Sequence, residues 1–372
     1  MKLLICIHSL NSGGAERVSV NLANHWAAKG WQITIVTLSP QSNDFYALNP
    51  AVMRIALALD GDSRNSLVGM VQNLRRVLAI RRVLRQIQPG IALGMMTTAN
   101  VLLALAAIGL TRIRTVGSER THPPQHPLGA VWEWLRSYSY ARLDAVVAQT
   151  NESAAWLKAH TRAQRVLVIP NPVGWPLASH LPQLAVKNVC RTGRSLLLAV
   201  GRLSNEKQFG LLLDCFGSLA SRHPDWDLVI LGEGPLRSAL ELQIKESGLE
   251  KRIFLPGKAG NVGDWYQHAD LFVLSSRFEG FPNTLVEAMA YGLPAVSFDC
   301  DTGPRDIIRH QVDGLLVSPM NANSLTAALD QLLGDGDLRQ RFAVRAVEVR
   351  ERFAIEGVAS QWERLFEVVR ND

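Results

Sequence analysis

Strand-like and helix-like segments alternate along nearly the whole chain. In the first half, apolar runs typical of buried strands fall at residues 2–10, 31–38, 51–59, 90–96, 114–118, 145–149 and 165–169. Helical periodicity fills the intervals, as at 15–30. Because parallel strands need a crossover connection, this alternation is typical of parallel sheets flanked by helices. The sequence therefore predicts an α/β protein.

The alternation is interrupted at the proline-rich residues 171–195 and then resumes. Further strand-like runs fall at 195–203, 227–235, 252–257, 270–276, 294–300 and 313–319. A chain of 372 residues has room for two cores. We expect a first domain, a linker, a second domain and a final helix packed back on the first domain, over residues 1–173, 174–194, 195–353 and 354–372. Two doubly wound domains imply an inter-domain cleft, and open α/β sheets bind ligands beyond the carboxyl ends of their strands.

Composition narrows the class of protein. A hydrophobic content of 47% and a charged content of 19% describe a globular chain. The four cysteines form no C-x-x-C pair and no secretory leader is evident, so we expect reduced thiols in a cytoplasmic protein. The apolar residues 91–110 are interrupted by polar residues and glycines, which predicts a strand and a helix rather than a membrane span. We expect no nucleic-acid partner.

Two carboxylates, Glu279 and Glu287, frame the motif EGFPNTLVE (279–287). The first falls in the loop after a predicted strand, and the second about one turn into the helix predicted over 283–292. Free backbone N–H groups at the start of that helix suit a phosphate. Carboxylates bind paired hydroxyls and repel phosphates, so they belong at the two neutral ends of a ligand with a central diphosphate. This arrangement predicts a nucleotide-sugar site.

Two cations, Arg202 and Lys207, lie in GRLSNEKQF (201–209), directly after a predicted strand. Arginine offers a fork of donors and lysine a point charge, and together they suit a diphosphate. Gly13 and Gly14 of GGAER also follow a strand, where glycine lets a backbone approach a ligand closely. A tight strand-to-helix turn explains those two glycines equally well.

The motif SERTHP (118–123) ends the fifth strand-like run. We expect Glu119, Arg120 and His122 to face the cleft, with His122 as a contact of the sugar or the acceptor. A second motif, the D-x-D of Asp299 and Asp301, could hold a metal beside a diphosphate. Since the two cations already supply positive charge, we expect no metal.

Taken in order with IPNPV (169–173), these motifs resemble those of retaining glycosyltransferases of family 4, over essentially the whole chain. The resemblance implies the GT-B fold of two Rossmann-like domains and a nucleotide-sugar donor, with no metal or other cofactor. SERTHP and GPRDII (303–308) are most similar to enzymes that build saccharides on undecaprenyl diphosphate. The implied reaction is transfer of a hexosyl or N-acetylhexosaminyl group to a lipid-linked saccharide, with retention.

The resemblance also implies a role for each matching residue. Arg202 and Lys207 bind the donor diphosphate, Glu279 binds the transferred sugar, and Glu287 binds the ribose. The remaining donor contacts are the backbone of three residues at the helix start and three first-domain residues: Asn283, Thr284, Leu285, Gly13, Gly14 and His122. Glu206 departs from the pattern, because an acid beside Lys207 lowers the positive potential unless it points away.

Two other functions remain open at this point. A nucleotide-sugar epimerase of the same architecture needs similar groups but converts the donor alone. A non-catalytic scaffold is expected to have lost at least one of the two cations and two carboxylates, and none is missing. The donor base, UDP or GDP, and the acceptor are not identified by the sequence.

Residues 63–118 contain eight arginines and no Asp or Glu. Within them, 65–88 reads as a helix with apolar residues along one broad side: Leu67, Met70, Val71, Leu74, Val77, Leu84 and Ile87. Arg75, Arg82 and Arg85 flank this side. Arginine beside apolar surface is typical of a helix on anionic lipid, so we expect residues 64–85 to hold the protein at the inner face of the cytoplasmic membrane. The alternative is an ordinary amphipathic helix that covers the first sheet.

Overall fold

The computed structural model describes residues 1–61, 66–125 and 127–372. The chain divides into two compact units. The first unit comprises Met1–Pro172 together with Ile355–Asp372, and the second comprises Val173–Ala354. Each unit is built around one parallel sheet with helices on both faces.

The sheet of the first unit has seven parallel strands in the order β3-β2-β1-β4-β5-β6-β7. Its strands are β1 Lys2–Ile7, β2 Gln32–Thr37, β3 Met53–Ala56, β4 Ile91–Met95, β5 Arg114–Ser118, β6 Ala145–Ala148 and β7 Val166–Val168. The connecting helices are α1 Gly14–Ala28, α2 Ser66–Ile87, α3 Thr97–Ala106, α4 Ala130–Tyr140 and α5 Asn151–His160. The central strand β4 is buried and non-polar along its whole length because both faces of the sheet are covered.

The sheet of the second unit has six parallel strands in the order β10-β9-β8-β11-β12-β13. Its strands are β8 Ser195–Val200, β9 Trp226–Leu231, β10 Ile253–Gly257, β11 Leu271–Leu274, β12 Ala295–Phe298 and β13 Gly314–Val317. The helices are α6 Phe209–Leu219, α7 Arg237–Glu246, α8 Val262–His268, α9 Asn283–Ala290, α10 Pro304–Ile307, α11 Ala322–Gly334, α12 Gly336–Ala346 and α13 Val349–Arg352. The strand order reverses between β8 and β11, which pair through Leu271 with Leu197 and Phe272 with Leu198.

The last helix, α14 Ile355–Asn371, belongs to the first unit. Its Trp362 and Phe366 are fully buried in the core that also contains Trp26 of α1. The indole of Trp26 donates a hydrogen bond to Glu363 Oε1 at 3.1 Å. This apolar face explains why the end of the chain packs against the first sheet.

Residues 174–194, expected to be a linker, are grouped with the second unit. Leu177 and Leu184 pack against its core. The backbone N–H of Leu184 donates to Asn261 Oδ1 at 2.9 Å, and the N–H of His180 donates to the Gly260 carbonyl at 3.0 Å. The segment lacks helical and strand periodicity because its backbone bonds to loops of the second unit instead.

The predicted alternation of strands and helices is confirmed in both units. Each of the thirteen expected strand-like runs contains or overlaps one observed strand, with shifts of a few residues at the ends. Residues 91–110 form β4 and α3 rather than one long helix, as expected. None of the described helices combines the length and the apolarity needed to span a membrane.

Candidate functional site

The second unit brings two of the predicted motifs together at the carboxyl ends of β8 and β11. Arg202 and Lys207 follow β8, and Glu279 follows β11. Because these two strands are hydrogen-bonded neighbours, their carboxyl ends meet at the same edge of the sheet. This is also where the strand order reverses, the usual ligand position in open α/β sheets.

Lys207 and Glu279 form an ion pair across this junction. Lys207 Nζ lies 2.6 Å from Glu279 Oε1, and their side chains are 18% and 11% exposed. Ser276 Oγ donates to the same carboxylate oxygen at 2.6 Å. A charged pair that is partly shielded from water interacts more strongly than an exposed one. Glu279 is therefore held in one place by two neighbouring donors.

Two consecutive serines at the end of β11 position the pair. Ser275 Oγ donates to the backbone carbonyl of Lys207 at 2.7 Å, while Ser276 holds the Glu279 carboxylate. Both serines are buried. Thr302 Oγ1 donates to the backbone carbonyl of Glu279. These three hydroxyls were not identified from the sequence; the partners of Ser275 and Thr302 are evident only when β8, β11 and the loop after β12 are adjacent.

Arg202 is exposed in the loop after β8, and Glu206 lies between it and Lys207 in the chain. The Glu206 carboxylate accepts a hydrogen bond from Ser204 Oγ. Burial acts to raise the pKa of Glu206, but the Ser204 hydrogen bond, the backbone and the charges of Lys207 and Arg202 together lower it. Glu206 is thus held by Ser204 and stays ionised near both cations.

A glycine-containing loop after β9 supports the Arg202 loop. A Cβ on Gly232 would lie 1.8 Å from the Gly201 carbonyl oxygen, and one on Gly234 would lie 2.4 Å from that of Leu203. The N–H of Leu203 donates to the Glu233 carbonyl at 3.0 Å. The glycines of GEGP (232–235) therefore serve close backbone packing.

The amino terminus of α9 follows Glu279 directly. Pro282 is the N-cap residue, and it provides no side-chain cap in the part of the chain that the structure describes. The N–H of Leu285 donates to the Pro282 carbonyl at 3.1 Å, so this amide is less available to a phosphate than expected. An uncapped helix start carries partial positive charge and attracts anions.

Glu287 is buried one turn into α9, with 4% of its surface exposed. The Tyr266 hydroxyl lies 3.4 Å from Glu287 Oε2. The predicted spacing of the two carboxylates is therefore present, with Glu279 in the loop and Glu287 within the helix. They differ in exposure, because α9 packs its inner face against the core of the second unit.

Asp299 and Asp301 follow β12. Asp299 Oδ1 accepts from Arg305 Nε at 2.9 Å. In the described part of the chain, no group of three or more His, Cys, Asp or Glu side chains is arranged to hold a metal ion. The D-x-D motif therefore contributes at least one of its carboxylates to a salt bridge with α10.

The glycines of GGAER lie where β1 passes into α1, in the first unit. Gly13 precedes the helix and Gly14 begins it. A Cβ on Gly13 would lie 2.1 Å from Glu16 Oε2, so the glycine leaves room for that carboxylate. Burial raises the pKa of Glu16, although hydrogen bonds from the backbone and Ser9 act in the opposite direction. Local packing of Glu16 thus explains Gly13 as well as a ligand does.

Three residues of SERTHP that were expected to face a cleft, Glu119, Arg120 and His122, are buried in the first unit. Glu119 accepts hydrogen bonds from the Tyr140 hydroxyl and from Thr97 Oγ1, the latter at 2.8 Å. Burial raises the pKa of Glu119 against the effect of these bonds. His122 Nδ1 lies 3.0 Å from Ser153 Oγ. Tyr140 and Ser153, which are distant in sequence, contact this segment from within the first unit.

Helix α2 has two different apolar sides rather than one. Val77 packs against the first sheet with the buried residues Ile80, Val83, Leu84 and Ile87. The opposite side exposes Met70, Val71, Leu74 and Leu78, which are 51–70% accessible. The predicted single side therefore mixed residues from both faces, while Arg64 and the side chain of Leu67 lie outside the described residues.

The arginines of α2 also separate into two groups. Arg76 Nε donates to the Leu59 carbonyl at 2.7 Å, and Arg81 Nη1 donates to the Ala106 carbonyl at 2.8 Å. These two side chains therefore bond to neighbouring backbone within the first unit. Arg75, Arg82 and Arg85 are exposed. Helical spacing places Arg82 and Arg85 beside Leu74 and Leu78, with Arg75 at the edge of this side.

Each of the two units matches the model of a known protein family. Residues 12–174 match the family model described as Glycosyltransferase Family 4. Residues 183–349 match the model described as Glycosyl transferases group 1. The two matches together account for most of the chain.

Curated relatives align over nearly the full length. Amylovoran biosynthesis glycosyltransferase AmsD of Erwinia amylovora is 27% identical over 97% of this chain and 98% of its own. The GalNAc-alpha-(1->4)-GalNAc-alpha-(1->3)-diNAcBac-PP-undecaprenol alpha-1,4-N-acetyl-D-galactosaminyltransferase of Campylobacter jejuni is 26% identical over 100% and 99%. A further match, 34% identical to an exopolysaccharide phosphotransferase of Streptomyces coelicolor, covers 77% of this chain and 29% of that protein.

Among solved structures, HepE of Anabaena in complex with UDP has the same fold. The TM-score is 0.78, with 19% sequence identity, over 99% of this chain and 100% of that one. The two Rossmann-like parallel-sheet units are the GT-B architecture, as the sequence predicted.

Proposed function

Because the chain belongs to the glycosyltransferases that combine a family 4 domain with a group 1 domain, we propose that it transfers a sugar from a nucleotide-sugar donor to an acceptor hydroxyl with retention of anomeric configuration. The observation that carries this proposal is the Lys207–Glu279 pair, 2.6 Å apart, beside the uncapped start of α9. A cation for phosphate and a carboxylate for sugar hydroxyls then lie side by side, as the junction between sugar and diphosphate requires.

The donor diphosphate binds Lys207 and Arg202, with the start of α9 as a third source of positive charge. Glu279 accepts hydrogen bonds from the sugar hydroxyls, and Glu287 accepts from the ribose. As the bond between the anomeric carbon and the diphosphate oxygen breaks, negative charge grows on the leaving group. Preorganised positive groups stabilise that charge, which accounts for catalysis without a metal.

The acceptor hydroxyl attacks from the face that the diphosphate leaves. Its proton passes to the departing diphosphate oxygen, so the products are the lengthened saccharide and a nucleoside diphosphate. Same-face attack retains the anomeric configuration with no covalent enzyme intermediate. The Lys207 ammonium and Arg202 guanidinium stabilise the leaving group throughout this exchange.

The acceptor is a saccharide linked to a polyprenyl diphosphate, and the sugar transferred is a hexose or N-acetylhexosamine. The names of the Campylobacter and Erwinia relatives, an undecaprenol-linked transferase and an amylovoran enzyme, support this assignment. We place the enzyme at the inner face of the cytoplasmic membrane, in the assembly of a surface polysaccharide or oligosaccharide.

Two exposed helix faces of the first unit support contact with an anionic bilayer. On α2, Arg75, Arg82 and Arg85 share a side with the exposed apolar residues. On α4, Val131, Trp134 and Tyr138 form a second exposed stripe, with relative accessibilities of 70%, 57% and 36%. Both helices pack against α3 on the same face of the sheet. Exposed apolar and aromatic groups beside arginine are typical of surfaces that bind the lipid interface.

The proposal is tested with a panel of nucleotide sugars carrying UDP or GDP. We measure donor hydrolysis and protection of the whole chain against thermal unfolding, because a bound donor stabilises the folded state by mass action. One donor is expected to raise the Tm and to be hydrolysed slowly without acceptor. Conversion of the donor to an epimer would indicate the epimerase, and the absence of any bound donor would indicate the scaffold.

A further inference from the structure

Two of the arginines that the structure describes in the first unit are buried, and their surroundings differ. Arg136 is 2% exposed, forms a salt bridge with Glu133 and stacks on Trp156, with its guanidinium carbon 4.5 Å from the ring centroid. Arg120 is 7% exposed and lies 5.8 Å from the ring centroid of Trp362. Among the described residues, Arg120 has no carboxylate within salt-bridge distance. Arg120 is therefore a buried cation without a counter-charge.

The hydrogen bonds of Arg120 leave much of its guanidinium unused. Nη1 donates to Asn171 Oδ1 at 2.6 Å, and Nη2 lies 3.7 Å from Met95 Sδ, a weak acceptor. Nε has no acceptor in the described part of the chain. Burial lowers the pKa of Arg120 to about 9. The group consequently remains charged at neutral pH and has spare donors.

Other polar groups with spare capacity lie around Arg120. Gln149 Nε2 donates to Asn171 Oδ1 at 2.6 Å, while Gln149 Oε1 and Trp362 Nε1 lack partners among the described residues. Arg120, Gln149 and Asn171 follow the neighbouring strands β5, β6 and β7, respectively. They therefore lie at the carboxyl edge of the first sheet, the edge at which α/β sheets bind ligands.

A purely structural role does not explain the charge of Arg120. Asn171 Oδ1 already accepts from Gln149, so it stays bonded when Arg120 is replaced. A buried charge without a partner is unfavourable, and an apolar side chain of similar size is often neutral or stabilising in such a place. An anion at this edge would supply the missing counter-charge.

We propose that Arg120 is an anion-binding residue that donates to a phosphoryl oxygen of a substrate at the carboxyl edge of the first sheet, with Gln149 and Asn171 beside it. This proposal rests on the proposed function, which identifies the two substrates. Both substrates, the lipid-linked acceptor and the nucleotide-sugar donor, contain a diphosphate. The shared chemistry is recognition of phosphate by a buried guanidinium.

The first test measures anion binding without turnover. The probe is inorganic pyrophosphate, and its binding is measured by isothermal titration calorimetry in magnesium-free buffer. The protein is the full chain carrying Arg202→Ala and Lys207→Ala, which removes the two cations proposed to bind the donor diphosphate. Pyrophosphate binding is expected to remain, and adding Arg120→Met should weaken it about tenfold or more, as for a lost charged hydrogen bond. No binding in the first variant, or unchanged affinity in the second, overturns the proposal.

The second test compares stability, with Arg136 as the matched control. Arg120→Met removes an uncompensated charge, so its Tm should equal or exceed that of the wild type. Arg136→Met leaves the Glu133 carboxylate without its salt bridge, so its Tm should fall. A Tm loss for Arg120→Met as large as that for Arg136→Met would assign Arg120 a structural role and overturn the proposal.

The third test distinguishes the two sources of phosphate. In the Arg120→Met variant, a raised KM for the acceptor with an unchanged KM for the donor assigns the acceptor diphosphate, and the reverse assigns the donor. Unchanged values for both contradict the proposal. Failure of the proposed function is separate, because it would be evident as absent transfer by the wild type while pyrophosphate binding is still measured.

Discussion

Lys207 Nζ lies 2.6 Å from Glu279 Oε1, so the lysine and the glutamate of the proposed donor site are paired with each other. Ser276 Oγ, which follows β11 as Glu279 does, donates to the same carboxylate oxygen. In the proposed function, a donor diphosphate attracts the ammonium in competition with Glu279. As the phosphate takes over this contact, the carboxylate becomes available to the sugar hydroxyls. The proposal thus assigns two substrate contacts to one ion pair.

Replacing Lys207 with alanine is expected to reduce turnover by about 10²-fold or more, the usual effect of losing one electrostatic stabiliser of a transition state. The fold should persist, because Lys207 lies in a loop. Initial transfer rates and thermal unfolding measure the two properties. Lys245→Ala, at an exposed position on α7, is the control for loss of a positive charge. A decrease of less than about fivefold would show that Lys207 does not contact the reacting diphosphate.

The two serines after β11 make a matched pair of variants. Ser276→Ala removes a donor to the Glu279 carboxylate, so we expect the Kd for the nucleotide sugar to rise about tenfold, with little change for the free nucleoside diphosphate. Ser275→Ala frees the Lys207 carbonyl, so it should weaken both ligands and lower the Tm. Isothermal titration measures both ligands with each variant. Equal weakening of both ligands by Ser276→Ala would contradict its role in positioning Glu279.

Much of the donor-site layout follows from the sequence because parallel strands bring their carboxyl ends to one edge. GRLSNEKQF and EGFPNTLVE each follow an apolar strand, so their proximity requires only that the two strands be neighbours. The roles of Ser275 and Thr302 depend on contacts with residues that lie 68 and 23 positions away in the sequence. No local pattern marks such contacts, so the sequence could not reveal them.

The contacts within the first unit were not evident from the sequence for the same reason. Glu119 ends a strand, and its buried carboxylate accepts a hydrogen bond from Tyr140, 21 residues later. On α2, periodicity identified an amphipathic helix without showing which apolar residues face the sheet. Arg81 of this helix bonds to carbonyls at the end of α3. In each case a tertiary partner, rather than local propensity, decides the exposure.

Transfer activity is expected to persist in excess EDTA, because Arg202, Lys207 and the α9 start supply the positive charge near the diphosphate. Replacing Asp299 with asparagine should also leave the transfer rate unchanged, because the Asp299 carboxylate pairs with Arg305 rather than with a metal. Rates with and without EDTA, for the wild type and Asp299→Asn, test both points. Complete loss of activity in EDTA with recovery on adding a divalent cation would restore the metal role of Asp299 and Asp301.

Binding to acidic vesicles should depend on the exposed arginines of α2. Replacing Arg75, Arg82 and Arg85 with glutamine removes charges that contribute about 1 kcal/mol each near an anionic surface, which weakens partitioning about a hundredfold. Co-sedimentation with vesicles of acidic and neutral lipid, at low and high salt, measures the effect. Donor hydrolysis in solution should be unchanged.

The matched control for this experiment replaces Arg76 and Arg81, which bond to backbone carbonyls within the first unit. That variant should lose stability while keeping most of its vesicle binding. Equal binding of the wild type to neutral and acidic vesicles, or binding to neither, would rule out electrostatic attachment through α2.

The division of labour between Lys207 and Glu279 is tested most directly by measuring the Kd of a nucleotide sugar and of its nucleoside diphosphate, for the wild type, Lys207→Ala and Glu279→Gln. We expect Lys207→Ala to weaken both ligands. Glu279→Gln should weaken the nucleotide sugar alone, and should leave the nucleoside diphosphate unchanged or tighter, because the competing carboxylate charge is gone. Equal weakening of both ligands by Glu279→Gln, or no effect of either substitution, would contradict the account.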